Sequence, residues 1–312
     1  MTGPQERNGP VVWLLADHKP GHKNQLRGLA ERLENLAGAR LIWIDVTQYP
    51  VPLFKTLLGI PPRIEAPWPN IIVAAGSDSH RLMAACRKRF GALMVMIMRP
   101  SFPFRWIDLA IIPAHDNPPS RPDVLETRGV MNAVRPQSKP VTKHRGLILI
   151  GGTSRHYVWD NDAIFRQALT LAEEYPDWAW SVTSSRRTPS ELVQRLQDLA
   201  MDNVVYHHHD QTPPAWLPTT LSESRVAWVS PDSVSMVYEA LTAGLPTGLF
   251  ELQAHTGSRV VKGLQSLAEE GLTISWSNRK ALMRADNSHR PHLWEADRAA
   301  RWILEHYKER FE

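Results

Sequence analysis

Residues 230–246, SPDSVSMVYEALTAGLP, describe the end of a strand, a polar turn and the opening of a helix. The apolar run Val226–Val229 stops at Ser230-Pro231. Three small polar residues, Asp232, Ser233 and Ser235, then stand where a helix leaves backbone N–H groups unpaired, an arrangement that attracts anions. Met236, Val237, Ala240 and Leu241 follow with the spacing of a helix face packed on a sheet, and Gly244 and Pro246 end it. On that spacing Glu239 falls off the apolar face. A strand, a turn and an amphipathic helix together form the repeating unit of an α/β sheet.

Working outward, the same alternation covers the chain. Val11–Ala16, Leu41–Val46, Ile71–Ala75, Leu93–Met98 and Leu109–Ile112 read as strands before residue 130, with Leu26, Leu29, Leu33 and Leu36 on a helix between the first two. A second cycle begins afresh with Leu147–Ile150, Trp180–Thr183, Val204–Tyr206, Val226–Val229 and Thr247–Phe250. Helical patterns at Ile164–Ala172 and Leu192–Leu199 separate them. Two Rossmann-like units are implied. Asn132–Gly146 has no apolar periodicity and two prolines, and reads as the linker. Residues 294–311 carry Ala296, Ala299, Ala300, Ile303 and Tyr307 on one stripe, an amphipathic terminal helix. The expected domains are 1–140, 141–290 and the helix of 291–312.

In open α/β sheets ligands bind beyond the carboxyl ends of the strands, so the turns there are the places to look for chemistry. Four are polar. They are Asp17-His18-Lys19-Pro20-Gly21-His22 after the first strand, Gly76-Ser77-Asp78-Ser79-His80 after the third, Gly151-Gly152-Thr153-Ser154-Arg155 at the start of the second cycle, and Ser230–Ser235. The four are expected to converge on one cleft. Gly152 lets backbone N–H groups approach a phosphate, Thr153 and Ser154 bring hydroxyls, and Arg155 and Arg186 bring positive charge. Neither GxGxxG nor GxxxxGK[ST] occurs, which argues against a dinucleotide oxidoreductase and a P-loop NTPase.

Composition bounds the rest. The 312 residues suffice for two ordinary cores, and 43% hydrophobic with 22% charged residues is globular. The single Cys86 excludes an intrachain disulfide and a multi-cysteine metal site, which favours the cytoplasm. A net charge of +4 is compatible with a phosphorylated substrate or an anionic membrane, and no nucleic-acid motif is present. No apolar run is long enough to span a bilayer.

DHKPGHKNQ, AAGSDSH, ILIGGTSRHYVW and SPDSVSMVYEALTAGLP, in that order, resemble the plant mitochondrial-fission Elm-type family and its bacterial relatives described as glycosyltransferases, over about residues 11 to 275. The second half is similar to MurG-type transferases. Glu239, followed by Ala-Leu-x-x-Gly-x-Pro, resembles the donor signature of the GT-B fold. The resemblance implies two facing Rossmann-like domains with a C-terminal helix crossing back to the first. It also implies a diphosphate held at the Ser230–Ser235 turn and ribose hydroxyls bound by Glu239. The first loop departs from MurG, where it is glycine-rich, so acceptor chemistry does not carry over directly.

The resulting expectation is a metal-independent glycosyltransferase without a cofactor, moving a sugar from a nucleoside diphosphate to a glycan or lipid-linked acceptor in cell-envelope synthesis. His22 is the first candidate for the base, since histidine titrates near neutrality, with Asp17 and Asp78 next. His18, Lys19, Gly21, Ser77 and His80 are expected on the acceptor side. Gly152, Thr153, Ser154, Arg155, Arg186, Ser230, Asp232, Ser233, Ser235 and Glu239 are expected on the donor side. The alternatives are a nucleotide-sugar epimerase on the same fold and a non-catalytic adaptor of the mitochondrial-fission type.

Three other signals are weighed differently. His207-His208-His209-Asp210 is discounted as a metal cluster because neighbours on an extended segment point to opposite sides. Trp13, Trp43 and Trp228 are expected in the core rather than as sugar platforms. Phe54–Arg63 and Arg99–Trp106 mix apolar and basic residues and are expected either to pack or to rest on an anionic membrane face.

Overall fold

The computed structural model describes residues 9–284 and 293–311. The chain divides into two compact units, one running to Ala133 and including the segment from Trp294, the other running from Val134 to Leu293. The expected boundary at 290–291 lies outside the described residues.

In the first unit, strands β1 (Val11–Ala16), β2 (Arg40–Asp45), β3 (Ile71–Ala75), β4 (Leu93–Ile97), β5 (Leu109–Pro113) and β6 (Val124–Thr127) form one parallel sheet in the order β2-β1-β3-β4-β5-β6. Helices α1 (Pro20–Ala37), α2 (Leu53–Leu58) and α3 (His80–Cys86) connect the early strands. β3, β4 and β5 are buried along their whole length, as a parallel sheet covered on both faces requires. On one face Leu26, Leu29 and Leu33 of α1 pack with Ala296, Ala299, Ala300 and Ile303 of the terminal helix α10 (Glu295–Phe311). The expected return of the C-terminal helix to the first unit is therefore present. On the other face Leu82, Met83 and Cys86 of α3 meet Trp13, Ile72 and Met94. Cys86 is buried, and burial pushes its thiol up to about 12.

The second unit repeats the plan. Strands β7 (Arg145–Leu149), β8 (Ala179–Thr183), β9 (Val204–His207), β10 (Val226–Val229), β11 (Thr247–Leu249) and β12 (Thr273–Ser275) run parallel in the order β12-β11-β10-β7-β8-β9. They alternate with α4 (Asn161–Glu174), α5 (Ser190–Gln197), α6 (Trp216–Glu223), α7 (Val234–Ala243), α8 (Arg259–Glu269) and α9 (Arg279–Arg284). Trp180 and Trp228 fill the centre of this core with Ile164, Leu171 and Leu192.

The ten expected strands are present within a residue or two of their expected ends, and β6 and β12 are additional. Both are edge strands of three or four residues, VLET and TIS, too short and too polar to stand out as apolar runs. Trp43 corrects another expectation. It lies on the edge strand β2 and is 47% exposed, whereas Trp13 and Trp228 are buried. No described helix is long and apolar enough to cross a membrane.

Candidate functional site

Strand order reverses once in each sheet, between β1 and β3 in the first and between β7 and β10 in the second. At such a point the loops leaving two adjacent strands turn in opposite directions and open a crevice beyond their carboxyl ends. The four polar turns singled out in the sequence are the loops that leave these four strands.

In the first unit Asp17 follows β1 and is 1% exposed. Its Oδ1 accepts the Lys19 N–H at 3.0 Å, and its Oδ2 stands 2.7 Å from Nδ1 of His22, one turn into α1. Pro20 opens that helix, where its missing N–H costs nothing. The carboxylate favours the His22 tautomer with its proton on Nδ1, and in the neutral ring of that tautomer Nε2 is an acceptor. Gly76, at the end of β3, has φ +82°, and a Cβ there would lie 2.1 Å from His22 Nδ1 and 2.9 Å from Asp17 Oδ2. Only glycine leaves room for the pair. Lys19 Nζ lies 3.2 Å from Asp78 Oδ2 and 4.0 Å from Asp17 Oδ2. The hydrogen bond and charge of Lys19 hold the Asp78 carboxyl below its ordinary range. Asp17, Lys19, His22 and Asp78 are thus gathered at the switch point.

Other residues expected beside them have different partners. His80 is buried in the first turn of α3 with Nδ1 2.6 Å from Ser101 Oγ, and burial lowers its pKa. His18 is exposed and turns toward the end of β2, 3.4 Å from Thr47 Oγ1 and 3.8 Å from Asp45. Ser77 is exposed and donates to Asp78 at 3.3 Å, and Gly21 borders open space in the first turn of α1. Sequence reading passed over Gly76, whose role shows only when β1 and β3 are neighbours. It also passed over Met98, which has φ +70° just beyond β4, an uncommon conformation for a bulky side chain that no local pattern signals.

In the second unit the glycine turn is arranged otherwise than expected. Its N–H groups face protein atoms. Gly151 N–H donates to Ser230 Oγ at 2.7 Å, Gly152 N–H to Asp232 Oδ2 at 2.8 Å, and Thr153 N–H to the Arg187 carbonyl at 3.2 Å. A Cβ on Gly151 would meet Asp232 Oδ2 at 2.2 Å, and one on Gly152 the Arg187 carbonyl at 1.9 Å. The two glycines admit the neighbouring loops, so the expected backbone cradle for phosphate is corrected to a turn braced by its own unit.

Arg187 is the residue that braces it. Its guanidinium lies 2.9 Å from Asp232 Oδ2 and donates to the Thr153 carbonyl at 2.9 Å. Asp232 is buried, and its Oδ1 has no hydrogen-bond partner among the described residues. Burial raises the Asp232 carboxyl, opposed by Gly152 N–H, Ser230 and Arg187. Close by, the segment after the turn pairs with the loop after β11, through Tyr157 and Ala254. Ser154 Oγ accepts the His156 N–H at 3.2 Å, and His156 Nδ1 lies 2.9 Å from Ser258, the N-cap of α8. Burial lowers the His156 pKa, and the charges of Arg155, Arg187 and His255 lower it further. Three other basic side chains therefore lie within electrostatic reach of His156, an environment suited to an anion.

Thr153, Arg155 and Arg186 are exposed at this edge. Ser233 precedes α7 but makes no side-chain cap, and Ser235 is exposed on its first turn. Glu239 is 9% exposed, not off the buried face, because α7 is covered on all sides from Val237 to Ala243. His156, His255 and Ser258 were missed in the sequence, and the only trace of them there is the position of His156 inside ILIGGTSRHYVW.

The argument that discounted His208, His209 and Asp210 also fails. The chain leaves the extended conformation at His207 and turns through a short 3₁₀ helix, His209–Gln211. Their possible ligand atoms lie within 4.8 Å of one another. They already engage each other, however: His208 Nδ1 accepts the Asp210 N–H at 3.3 Å, and His209 Nε2 lies 3.2 Å from Asp210.

Comparison with known proteins bears on the fold and the family. The UDP-GlcNAc 2-epimerase of Methanocaldococcus jannaschii is similar with a TM-score of 0.60 at 11% identity, over 95% of this chain and 99% of that one. MurG of Acinetobacter baumannii has a TM-score of 0.45 at 14% identity, over 96% and 94%. At 11% identity the likeness to the M. jannaschii protein speaks to architecture alone, two Rossmann-like units of the GT-B type. An uncharacterized protein of Rickettsia prowazekii, strain Madrid E, is 22% identical over 347 residues, covering 94% of this chain and 97% of that protein. The family model described as mitochondrial fission ELM1 matches residues 20–307, from the first turn of α1 almost to the end of α10, and the chain belongs to that family.

Proposed function

We propose that the chain is a glycosyltransferase using a nucleoside diphosphate sugar, with the base on the first unit and the donor on the second. The observation that carries this reading is the Asp17–His22 pair. A buried carboxylate 2.7 Å from a partly exposed histidine, at a switch point and with a glycine making room for it, is what activation of an acceptor hydroxyl needs. On the second unit the loops carrying Arg155, Arg187, His156 and His255 favour a diphosphate, and the orphaned Asp232 Oδ1 offers an acceptor for a ligand hydroxyl or N–H. Glu239 remains the candidate for the ribose. The M. jannaschii protein of like fold is named for a UDP-sugar, which supports the donor class. The reading requires no metal, since cationic side chains take the leaving diphosphate. The acceptor is a glycan or lipid-linked sugar of the cell envelope, and one buried cysteine suits a cytoplasmic enzyme.

The test pairs binding with turnover. UDP titrated into the full chain should bind, and His22→Ala should bind it equally well. With labelled UDP-GlcNAc and an envelope extract as acceptor, the same variant should transfer label at least about 10²-fold more slowly. Absence of UDP binding, or undiminished transfer by His22→Ala, overturns the reading. Conversion of free nucleotide sugar without acceptor replaces it with epimerisation.

A further inference from the structure

Helix α2 is built inside out. Its one buried side chain is Thr56, whose hydroxyl donates to the Pro52 carbonyl at 3.3 Å. Leu53, Phe54, Leu57 and Leu58 are 60%, 60%, 54% and 57% exposed, and Ile60, 48% exposed, continues the patch beyond Gly59. A single exposed leucine needs no explanation, but five large apolar side chains exposed within eight residues do. The helix is held firmly all the same. Arg87, following α3, donates to the carbonyls of Thr56, Leu57 and Ala84, and its guanidinium lies 4.2 Å above the ring of Trp106. The apolar patch is thus a fixed feature of the surface.

Beside it lies a hollow of about 430 Å³ with Leu57 on its wall and four cations, Arg87, Lys88, Arg105 and Arg310, around it. One carboxylate lines it, Asp108, already paired with Arg310 at 2.7 Å. The hollow is therefore net positive. Lys55 lies among the apolar residues in the chain, and Arg63, 3.6 Å from Glu65, follows them. At the same place the second loop takes the packed alternative: Phe102 and Phe104 are partly buried against the core, and the loop brings Arg105 and Trp106 to the hollow.

We propose that α2 and this hollow form a docking surface for an anionic lipid membrane. Leu53, Phe54, Leu57, Leu58 and Ile60 enter the boundary between headgroups and acyl chains, and the cations of the hollow hold lipid phosphates. Apolar side chains adjoining a basic hollow match the two ends of one anionic lipid molecule. A protein partner fits less well, because interface centres are poor in lysine, and here Lys55 and Lys88 adjoin the apolar residues. Six helical residues cannot span a bilayer, so the binding is peripheral. This inference goes beyond the donor-site reading and stands or falls separately from it.

Co-sedimentation of the full chain with vesicles tests it. The protein should pellet with phosphatidylcholine vesicles containing phosphatidylglycerol at low salt, be released at high salt, and stay in solution with phosphatidylcholine alone. Leu57→Ser with Leu58→Ser should lower partitioning about tenfold or more. Lys88→Glu with Arg105→Glu, on the other side of the surface, should lower it about fivefold per residue. Both pairs are exposed or at a rim, and their melting temperatures report whether they fold. Wild type remaining in solution with anionic vesicles overturns the proposal whatever the variants do. So does equal pelleting with neutral vesicles, or binding of inorganic phosphate without vesicle binding. A wild-type dimer that the leucine variant converts to monomer would identify the face as a self-interface and also overturn it.

Discussion

At the scale of single residues, each switch point contains a buried carboxylate whose charge is handled differently. Asp17 faces His22 and Lys19 at the mouth of its turn. Asp232 lies inside its unit and depends on Arg187, Ser230 and one backbone N–H. Burial raises the Asp232 carboxyl, and Arg187 is among the influences opposing that rise. A group whose pKa is raised on folding contributes its full stability below the unfolded value and loses it as pH climbs through the folded one. Arg187→Met removes an opposing charge and moves the carboxyl higher still. The variant should therefore be destabilised more at alkaline than at acidic pH, read as the gap in melting temperature from wild type across a pH series. A gap that is constant with pH would assign Arg187 to packing alone.

At the scale of elements, α10 is held to α1 by more than its apolar stripe. Arg32 donates through Nε to Asp297 Oδ1 at 2.8 Å, Arg301 donates to Oδ2 at 2.8 Å, and the Arg32 guanidinium lies 4.3 Å over Trp294. Side chains of Arg32 and Asp297 are 14% and 16% exposed, so the pair is better shielded than most surface ion pairs. Burial, the largest single influence on Asp297, raises its carboxyl, but the bonds from Arg301 and Arg32 together outweigh it and leave the group below its ordinary value. A depressed carboxyl stabilises the fold above its unfolded pKa and loses that contribution as pH falls through the folded one. Asp297→Ala should cost about 1.5–3 kcal/mol at neutral pH. Denaturant titrations should show the difference shrinking below the ordinary carboxylate range, and a difference independent of pH would count against the ion pair.

At the scale of the whole molecule, the chain builds its first unit from two distant pieces. Ala296, Ala299, Ala300 and Ile303 are at most 2% exposed within the first core, although the second unit precedes them in sequence. Burying one isoleucine and three alanines contributes on the order of 4 kcal/mol, close to the net stability of a small domain. A fragment ending at Ala133 should therefore lack cooperative unfolding, and joining residues 294–311 to it should restore a sharp transition. Circular dichroism melts of the two fragments decide it; a cooperative melt without the helix would show that the core closes alone.

Much of this was legible in the chain itself. Apolar runs such as Ile71–Ala75 and Val226–Val229 are buried on both faces, so they must be continuous, and continuity is visible without knowing the neighbours. Polar turns after β1, β3, β7 and β10 stand out for the same reason, since they interrupt those runs. What tertiary structure alone decided is which atoms occupy the space beyond the strand ends. Gly76 makes room for His22 only because β3 lies beside β1, and the N–H of Gly152 meets Asp232 only because β7 lies beside β10. Strand order depends on long-range packing free energy, and local sequence carries no record of it. The exposure of α2 was decided in the same way, because its composition is that of a buried helix and only the fold determines which side remains open.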